Sequence, residues 1–140
     1  MAITWDDNLF LGFSDIDDQH REIFSRFDTL SQACQERKGN TIVKGLLDFL
    51  DEYVSHHFSC EETLMDRYAY PRFEEQREQH AIFRQEIEAL HVCSTEGMDE
   101  HELALLIDRK LVRWLIQHIR NLDRDMITFV KTRQQSEEGK

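Results

Sequence analysis

The sequence contains few of the residues that interrupt helices or cross-link a chain. Its 140 residues include five glycines, one proline and three cysteines. So few turn-forming residues argue against an all-β fold, which needs many tight turns. The cysteines, Cys34, Cys60 and Cys93, are odd in number and show no paired spacing. A disulfide framework is therefore not expected, and a reducing compartment, the cytoplasm, is the predicted location.

Basic residues are also scarce, with 17 Lys and Arg against 28 Asp and Glu, for a net charge of −11. Because an acidic surface repels phosphate, neither nucleic acid nor an anionic membrane is an expected partner. No apolar run approaches the roughly 18 residues of a membrane-spanning helix, and no basic residue precedes the short apolar stretch at the N-terminus. The 40% hydrophobic content is sufficient for the core of one domain.

The sequence does contain long stretches in which apolar residues recur with the period of an α-helix. These stretches predict four helices at about 17–38, 41–69, 73–93 and from 99 onward. The polar breaks between them are short, which favours antiparallel neighbours and hence an all-α, up-down-up-down four-helix bundle. Residues 1–16 hold Trp5, Leu9 and Phe10 without a clear period, and we interpret them as an ordered arm packed on the bundle. We predict a single domain over 1–133 and a frayed polar tail over 134–140.

Every apolar stripe contains polar side chains that can bind a metal. They are His20 in the first helix, His57 and Glu61 in the second, Gln76 and His80 in the third, and His118 in the fourth. A buried carboxylate without a partner is costly, so these groups form either a polar network or, as we favour, the ligands of a metal. The spacing of four within each pair places both side chains on one face of a helix.

Other residues of the same types do not follow the stripes. His56, His91 and His101 are expected at the surface, and Cys60 points away from the inward face of the second helix. Glu62 also lies off the stripe and is expected to tolerate replacement. Neither a thiolate ligand nor a further histidine ligand is therefore expected.

Asp123 presents a separate problem of spacing. It follows His118 by five residues, which on an ideal α-helix places the two side chains about 140° apart. Asp123 is then either an exposed aspartate near a helix end, or a ligand turned inward because the backbone between the two residues tightens, bulges or breaks. The spacing alone leaves both possibilities open.

The motifs that contain these residues resemble the bacterial hemerythrins. The resemblance extends from the N-terminal arm through HHFSCEETLM and YPRFEEQREQHAIF to WLIQHIRNLD. It implies two non-haem irons joined by an oxo or hydroxo bridge. By analogy His20 and His57 bind one iron and His80 and His118 the other, while Glu61 and Asp123 bridge both. The implied function is reversible dioxygen binding by an oxygen carrier, store or sensor, with Phe24, Phe27, Phe58, Trp114 and Ile119 as apolar walls of the pocket.

One residue departs from the family pattern. The third helix of the family carries His-x-x-x-His, and Gln76 stands at the first of these positions. An amide oxygen is a weaker donor than an imidazole. The second iron is then either weakly bound, even absent, or has an exchangeable coordination position. The latter supports an alternative function, a redox enzyme that acts on peroxide or nitric oxide with an unknown redox partner.

Overall fold

The computed structural model describes residues 5–138, with side chains through 137. Within this part of the chain four long helices follow one another: α1 (Ser14–Gln35), α2 (Asn40–Arg67), α3 (Phe73–Thr95) and α4 (100–138). Each helix packs on the next, and α4 closes the ring by packing on both α1 and α3. The predicted all-α four-helix bundle is confirmed.

The helix boundaries differ from the predicted ones by a few residues. α1 begins at Ser14 and ends at Gln35, because Arg37 and Gly39 take positive φ angles of 53° and 108° in the turn to α2. α2 ends at Arg67, since Ala69 adopts a φ of 54° shortly before Pro71. A residue in the left-handed region cannot continue a right-handed helix.

The N-terminal arm is ordered over its described residues, as predicted, and includes a short 3-10 helix over Asp7–Leu9. The Asp17 carboxylate fastens it to α1, because it accepts hydrogen bonds from the backbone amides of Leu11, Gly12 and Phe13 at 2.9–3.2 Å. Gly12 has a φ of +76°, and Lys131 Nζ lies 2.6 Å from the position of a Cβ atom there. Only glycine fits that position without strain. Residues 1–4 of the predicted arm lie outside the described residues.

α4 is one continuous helix that changes its winding twice. It is α-helical over Glu100–Ile107, Arg113–His118 and Arg124–Glu138, with π-helical turns at Asp108–Val112 and Ile119–Asp123. The backbone at each junction keeps right-handed helical φ and ψ angles. Its N-terminus is capped by Asp99, whose carboxylate accepts hydrogen bonds from the amides of His101 and Glu102. The second π-helical turn bears directly on the site.

The structure differs from the prediction of a frayed tail from 134 onward. α4 remains helical to Glu138, and Gln134 Nε2 donates a hydrogen bond to the Tyr68 hydroxyl at 3.3 Å. Tyr68 lies just after the end of α2, so the polar end of α4 has a tertiary partner that the apolar pattern does not show. Residues 139 and 140 lie outside the described residues, and the domain boundary at 133 stays a prediction.

Apolar side chains fill the bundle on both sides of a polar layer. Large core residues such as Phe24, Phe27, Phe83, Leu47 and Leu115 are at most 2% exposed. Among the described helices, none has a stretch long and apolar enough to cross a bilayer.

Candidate metal centre

The polar layer at the middle of the bundle collects side chains from all four helices. The structure brings together every residue predicted for the site, and each is buried to at least 95%. These residues are His20 from α1, His57 and Glu61 from α2, Gln76 and His80 from α3, and His118 and Asp123 from α4.

The two carboxylates lie between the imidazole rings. Glu61 Oε1 is 3.4 Å from His57 Nε2 and 3.2 Å from His80 Nε2, and Glu61 Oε2 is 3.8 Å from His20 Nε2. Asp123 places Oδ2 3.2 Å from His20 Nε2 and Oδ1 3.2 Å from His118 Nε2. Each carboxylate therefore has one histidine or more on either side.

These contacts divide into two overlapping sets of possible metal ligands. One contains His20 and His57, and the other contains His80 and His118. Glu61 and Asp123 belong to both sets, and within each set the ligand atoms lie within 4.8 Å of one another. Two positions that share two carboxylates suit a pair of metal ions bridged by those carboxylates.

The unsatisfied atoms at the centre support the presence of a cation. The Nε2 atoms of the four histidines, both oxygens of Glu61 and Oδ2 of Asp123 are buried without a hydrogen-bond partner. Buried polar groups are normally paired. This number of unpaired donor and acceptor atoms at one place therefore needs an explanation. Imidazole nitrogens and carboxylate oxygens that converge in this way fit a transition metal.

The second π-helical turn of α4 explains how Asp123 joins His118. A π-helix has its hydrogen bonds between residues i and i+5, so residues five apart share a face. The turn over Ile119–Asp123 turns Asp123 inward, where it is 0% exposed, while Leu122 is only half-buried. Of the two possibilities left open by the spacing, the structure shows the inward aspartate and the bulge.

Gln76 faces the centre rather than packing elsewhere. Its Nε2 donates a hydrogen bond to Asp123 Oδ1 at 3.0 Å, and its Oε1 is buried without a partner. The side chain is 0% exposed. The amide therefore occupies a position beside His80, one turn away on α3, with a free oxygen.

Two residues outside the predicted set contact the outer Nδ1 nitrogens of His57 and His80. His57 Nδ1 lies 2.7 Å from Gln19 Oε1, and His80 Nδ1 lies 3.0 Å from Glu62 Oε2. Glu62 lies off the inward stripe, as expected, at 32% exposure, but its carboxylate contacts a histidine across the α2–α3 interface, so its replacement is no longer expected to be neutral. The pair of adjacent glutamates in HHFSCEE was a possible signal, but helical period treats the second as outward-facing.

Aromatic rings fix the planes of two imidazoles. Phe58 stacks on His80 with ring centroids 3.8 Å apart and an interplanar angle of 4°, and Trp114 stacks on His118 at 4.5 Å and 11°. Phe83 in turn stacks on Trp114 at 4.4 Å. Two aromatic stacks therefore hold the side of the centre with His80 and His118, and Phe58 and Phe83 join them through an edge-to-face contact.

The charges at the centre perturb one another strongly. Burial alone lowers the pKa of His20, but the carboxylates of Asp123 and Glu61 outweigh it and raise that pKa to about 9. Burial lowers the pKa of His57 to about 4. Burial alone raises the pKa of Asp123, yet His118 and His20 hold it well below its ordinary value. Without metal, then, the centre holds charged carboxylates around a protonated His20.

The remaining histidines and Cys60 lie away from the centre, as predicted. His56 and His101 are exposed, and His91 is half-buried and contacts Asp48 at 2.7 Å. Cys60 Sγ lies 3.8 Å from His56 Nε2. None of these side chains belongs to either set of possible metal ligands among the described residues.

The bundle and its centre define a helical metal-binding protein with histidine and carboxylate ligands. Residues 11–130 match the family described as Hemerythrin HHE cation binding domain. The chain is 31% identical over 130 residues to a bacteriohemerythrin of Pseudomonas paraeruginosa, covering 92% of this chain and 82% of that relative.

Two more distant relatives extend the comparison. A bacteriohemerythrin of Clostridium acetobutylicum is 25% identical over 128 residues, 89% of this chain and 98% of that protein. A myohemerythrin of Sipunculus nudus is 26% identical over 122 residues, 86% and 87% of the two chains. The chain belongs to the hemerythrin HHE family.

Proposed function

We propose that this protein binds dioxygen reversibly at a non-haem di-iron centre. The observation that carries the proposal is the pair of overlapping ligand sets that share Glu61 and Asp123. The names of the relatives, bacteriohemerythrin and myohemerythrin, support the same function. Iron when bound supplies the redox chemistry by which dioxygen is taken up and released.

The proposed ligands follow from the two sets. His20 and His57 would hold one iron and His80 and His118 the other, while Glu61 and Asp123, which belong to both sets, would bridge the two irons together with an oxo or hydroxo group. Gln76 supplies its unpartnered Oε1 as a weak ligand to the iron of His80.

Buried apolar side chains enclose the centre. Phe24, Phe27, Phe58 and Ile119 are at most 3% exposed, and Trp114 covers His118 from the side. An apolar enclosure excludes water and protons, which favours release of dioxygen over its further reduction. We also propose the cytoplasm as the location, because Cys34, Cys60 and Cys93 are all free thiols.

A second function has one observation in its favour. Gln76 replaces an imidazole with an amide that already donates to Asp123, so the iron of His80 and His118 has a weak ligand at that position. An exchangeable position of this kind suits an enzyme that acts on peroxide or nitric oxide, with electrons from a separate redox partner. Dioxygen binding remains the first candidate, because every residue of the centre is at least 95% buried, which suits a diatomic ligand better than a larger substrate.

Iron per chain and the visible spectrum test the proposal. Protein loaded anaerobically with ferrous iron should contain two irons, gain a visible absorption on exposure to oxygen, and lose it when oxygen is removed. Adding azide to the ferric form should change the spectrum. Protein that remains colourless and free of iron would overturn the proposal, and irreversible bleaching with peroxide consumption would favour the enzyme.

The adjacent histidines of α2 provide a matched control. His57 belongs to a ligand set, whereas His56 is exposed one residue away. We expect His57→Ala to lose iron and His56→Ala to retain it. Equal iron content in the two variants would contradict the assignment of the inward face.

A further inference from the structure

We propose that Glu62 is a positioning residue that strengthens His80 as a metal ligand and so sets the affinity of the metal bound by His80 and His118. The inference rests on the proposed function, since it concerns one half of the same centre. It assigns a role to a residue outside both sets of possible metal ligands among the described residues.

The geometry links Glu62 to the far side of the His80 ring. Glu62 Oε2 lies 3.0 Å from His80 Nδ1, while His80 Nε2 points to the centre, 3.2 Å from Glu61 Oε1. A carboxylate that accepts a hydrogen bond from Nδ1–H leaves Nε2 unprotonated, with its lone pair free for a metal. The stacked ring of Phe58, parallel to within 4°, prevents His80 from turning away.

The four histidines of the centre do not share this arrangement. His57 Nδ1 contacts the neutral amide oxygen of Gln19 at 2.7 Å. The Nδ1 atoms of His20 and His118 are buried with no hydrogen-bond partner among the described residues. In this part of the chain, His80 is thus the one histidine of the four whose outer nitrogen contacts an anion.

The Glu62 carboxylate contacts the half of the centre that has the weaker set of ligands, the half with His80 and His118. Gln76, the amide beside His80 on α3, donates to Asp123 and offers at most a weak oxygen to the metal. A carboxylate behind an imidazole raises its basicity and therefore its strength as a ligand. Glu62 compensates in this way for the missing imidazole at position 76.

Glu62 is placed where it can be replaced without disturbing the core. Its side chain is 32% exposed and lies in the wall of a surface pocket of about 210 Å³, with Arg77 Nε 3.9 Å from Oε1. A change at this position removes the contact with His80 but leaves no buried cavity. The fold should therefore survive Glu62→Ala.

Anaerobic titration of the metal-free protein with Co²⁺ tests the inference. We expect the parent to bind two ions and Glu62→Ala to bind one of them about tenfold more weakly or worse, the usual cost of removing the partner of a ligand histidine. Glu52, an exposed glutamate on the same helix, provides the control: Glu52→Ala should bind both ions as the parent does.

Glu62→Gln separates charge from structure. Glutamine can still accept a hydrogen bond from Nδ1, so that His80 would have the same kind of partner as His57. Its affinity for Co²⁺ should lie between those of the parent and Glu62→Ala. When loaded with iron, the Glu62→Gln variant should have a higher reduction potential than the parent, because the lost negative charge favoured the ferric state. A purely structural role of Glu62 would leave the reduction potential unchanged.

The outcomes distinguish this inference from the proposed function. A parent that binds no metal would overturn both. A parent that binds two ions, with Glu62→Ala and Glu62→Gln matching it in affinity and potential, would overturn the role of Glu62 alone. Equal losses in the Glu62 and Glu52 variants would also overturn it, since a general charge effect would then be sufficient.

Discussion

His118 Nε2 and Asp123 Oδ1 lie 3.2 Å apart although the two residues are five positions apart on one continuous helix. The π-helical turn over Ile119–Asp123 makes this possible. In a regular α-helix, side chains four positions apart share a face, whereas side chains five positions apart do not. The π-helical turn therefore has the effect of one residue inserted into an α-helix. Deleting a single residue from this part of α4 tests its role.

Deleting the exposed Asn121 should convert the bulge into regular α-helix and leave His118 and Asp123 four residues apart. We expect this variant to keep its metal content and its helical circular dichroism. Deleting the exposed Arg124 instead should also absorb the bulge but keep the spacing of five, which turns Asp123 away. Retention of metal in both deletions, or loss in both, would show that the bulge does not position Asp123.

Glu61→Gln should lose metal while the metal-free protein stays folded. Glutamine has nearly the same shape but lacks the charge that two cations require of a bridging ligand. The free energy of unfolding of the metal-free form should change by no more than about 1 kcal/mol, because the Glu61 oxygens have no hydrogen-bond partner to lose. Iron analysis and a urea titration measure the two effects. Glu52→Gln is the control, and equal iron content in the two variants would refute the bridging role.

Gln76→His should raise the affinity for the second iron, because it restores an imidazole one turn before His80. Loading should move closer to two irons per chain, oxygen binding should become more reversible, and peroxide should be consumed more slowly. Anaerobic iron titration and a denaturation midpoint for each protein measure the change. Since Gln76 is 0% exposed, a larger ring that only crowds the core would lower the midpoint without changing stoichiometry or affinity, which would reject Gln76 as a ligand position.

Metal uptake near neutral pH should release protons from the metal-free protein. The pKa of His20, raised to about 9, means that its ring carries a proton that a metal must displace. Metal affinity should therefore increase with pH up to about 9. His57, with a pKa near 4, is already neutral and should contribute no proton. Calorimetric titration with Zn²⁺ in two buffers of different ionisation enthalpy counts the protons, and a count of zero would contradict this protonation state.

The same two histidines should give the metal-free fold opposite pH dependences. The pKa of His20 is above its ordinary 6.5, so the stability that it contributes is complete below pH 6.5 and is lost as the pH rises through about 9. The pKa of His57 is below 6.5, so its contribution is present above pH 6.5 and is lost as the pH falls towards about 4. Urea midpoints across this range should decline on both sides, and His57→Gln should remove part of the acid-side decline.

Apolar periodicity was sufficient to predict the bundle and the inward faces of its helices. His20, His57, Glu61, His80 and His118 all lie on those faces. The reason is that helical period is a local property: the side chains at i, i+3 and i+4 share a face whatever surrounds the helix. A stripe therefore reveals which residues point inward even when the neighbouring helices are unknown.

The tertiary structure decided the features that depend on contacts between helices or on a change in winding. The inward turn of Asp123 needed a π-helical turn, which spacing left open because an exposed aspartate fits the same sequence. Glu62 and Gln19 contact histidines on neighbouring helices, and the period of their own helices carries no information about such partners. Gln134 likewise has its partner outside α4, at Tyr68 just after the end of α2. Local pattern fixes the face of a side chain, whereas its partner on another helix depends on how the helices pack together.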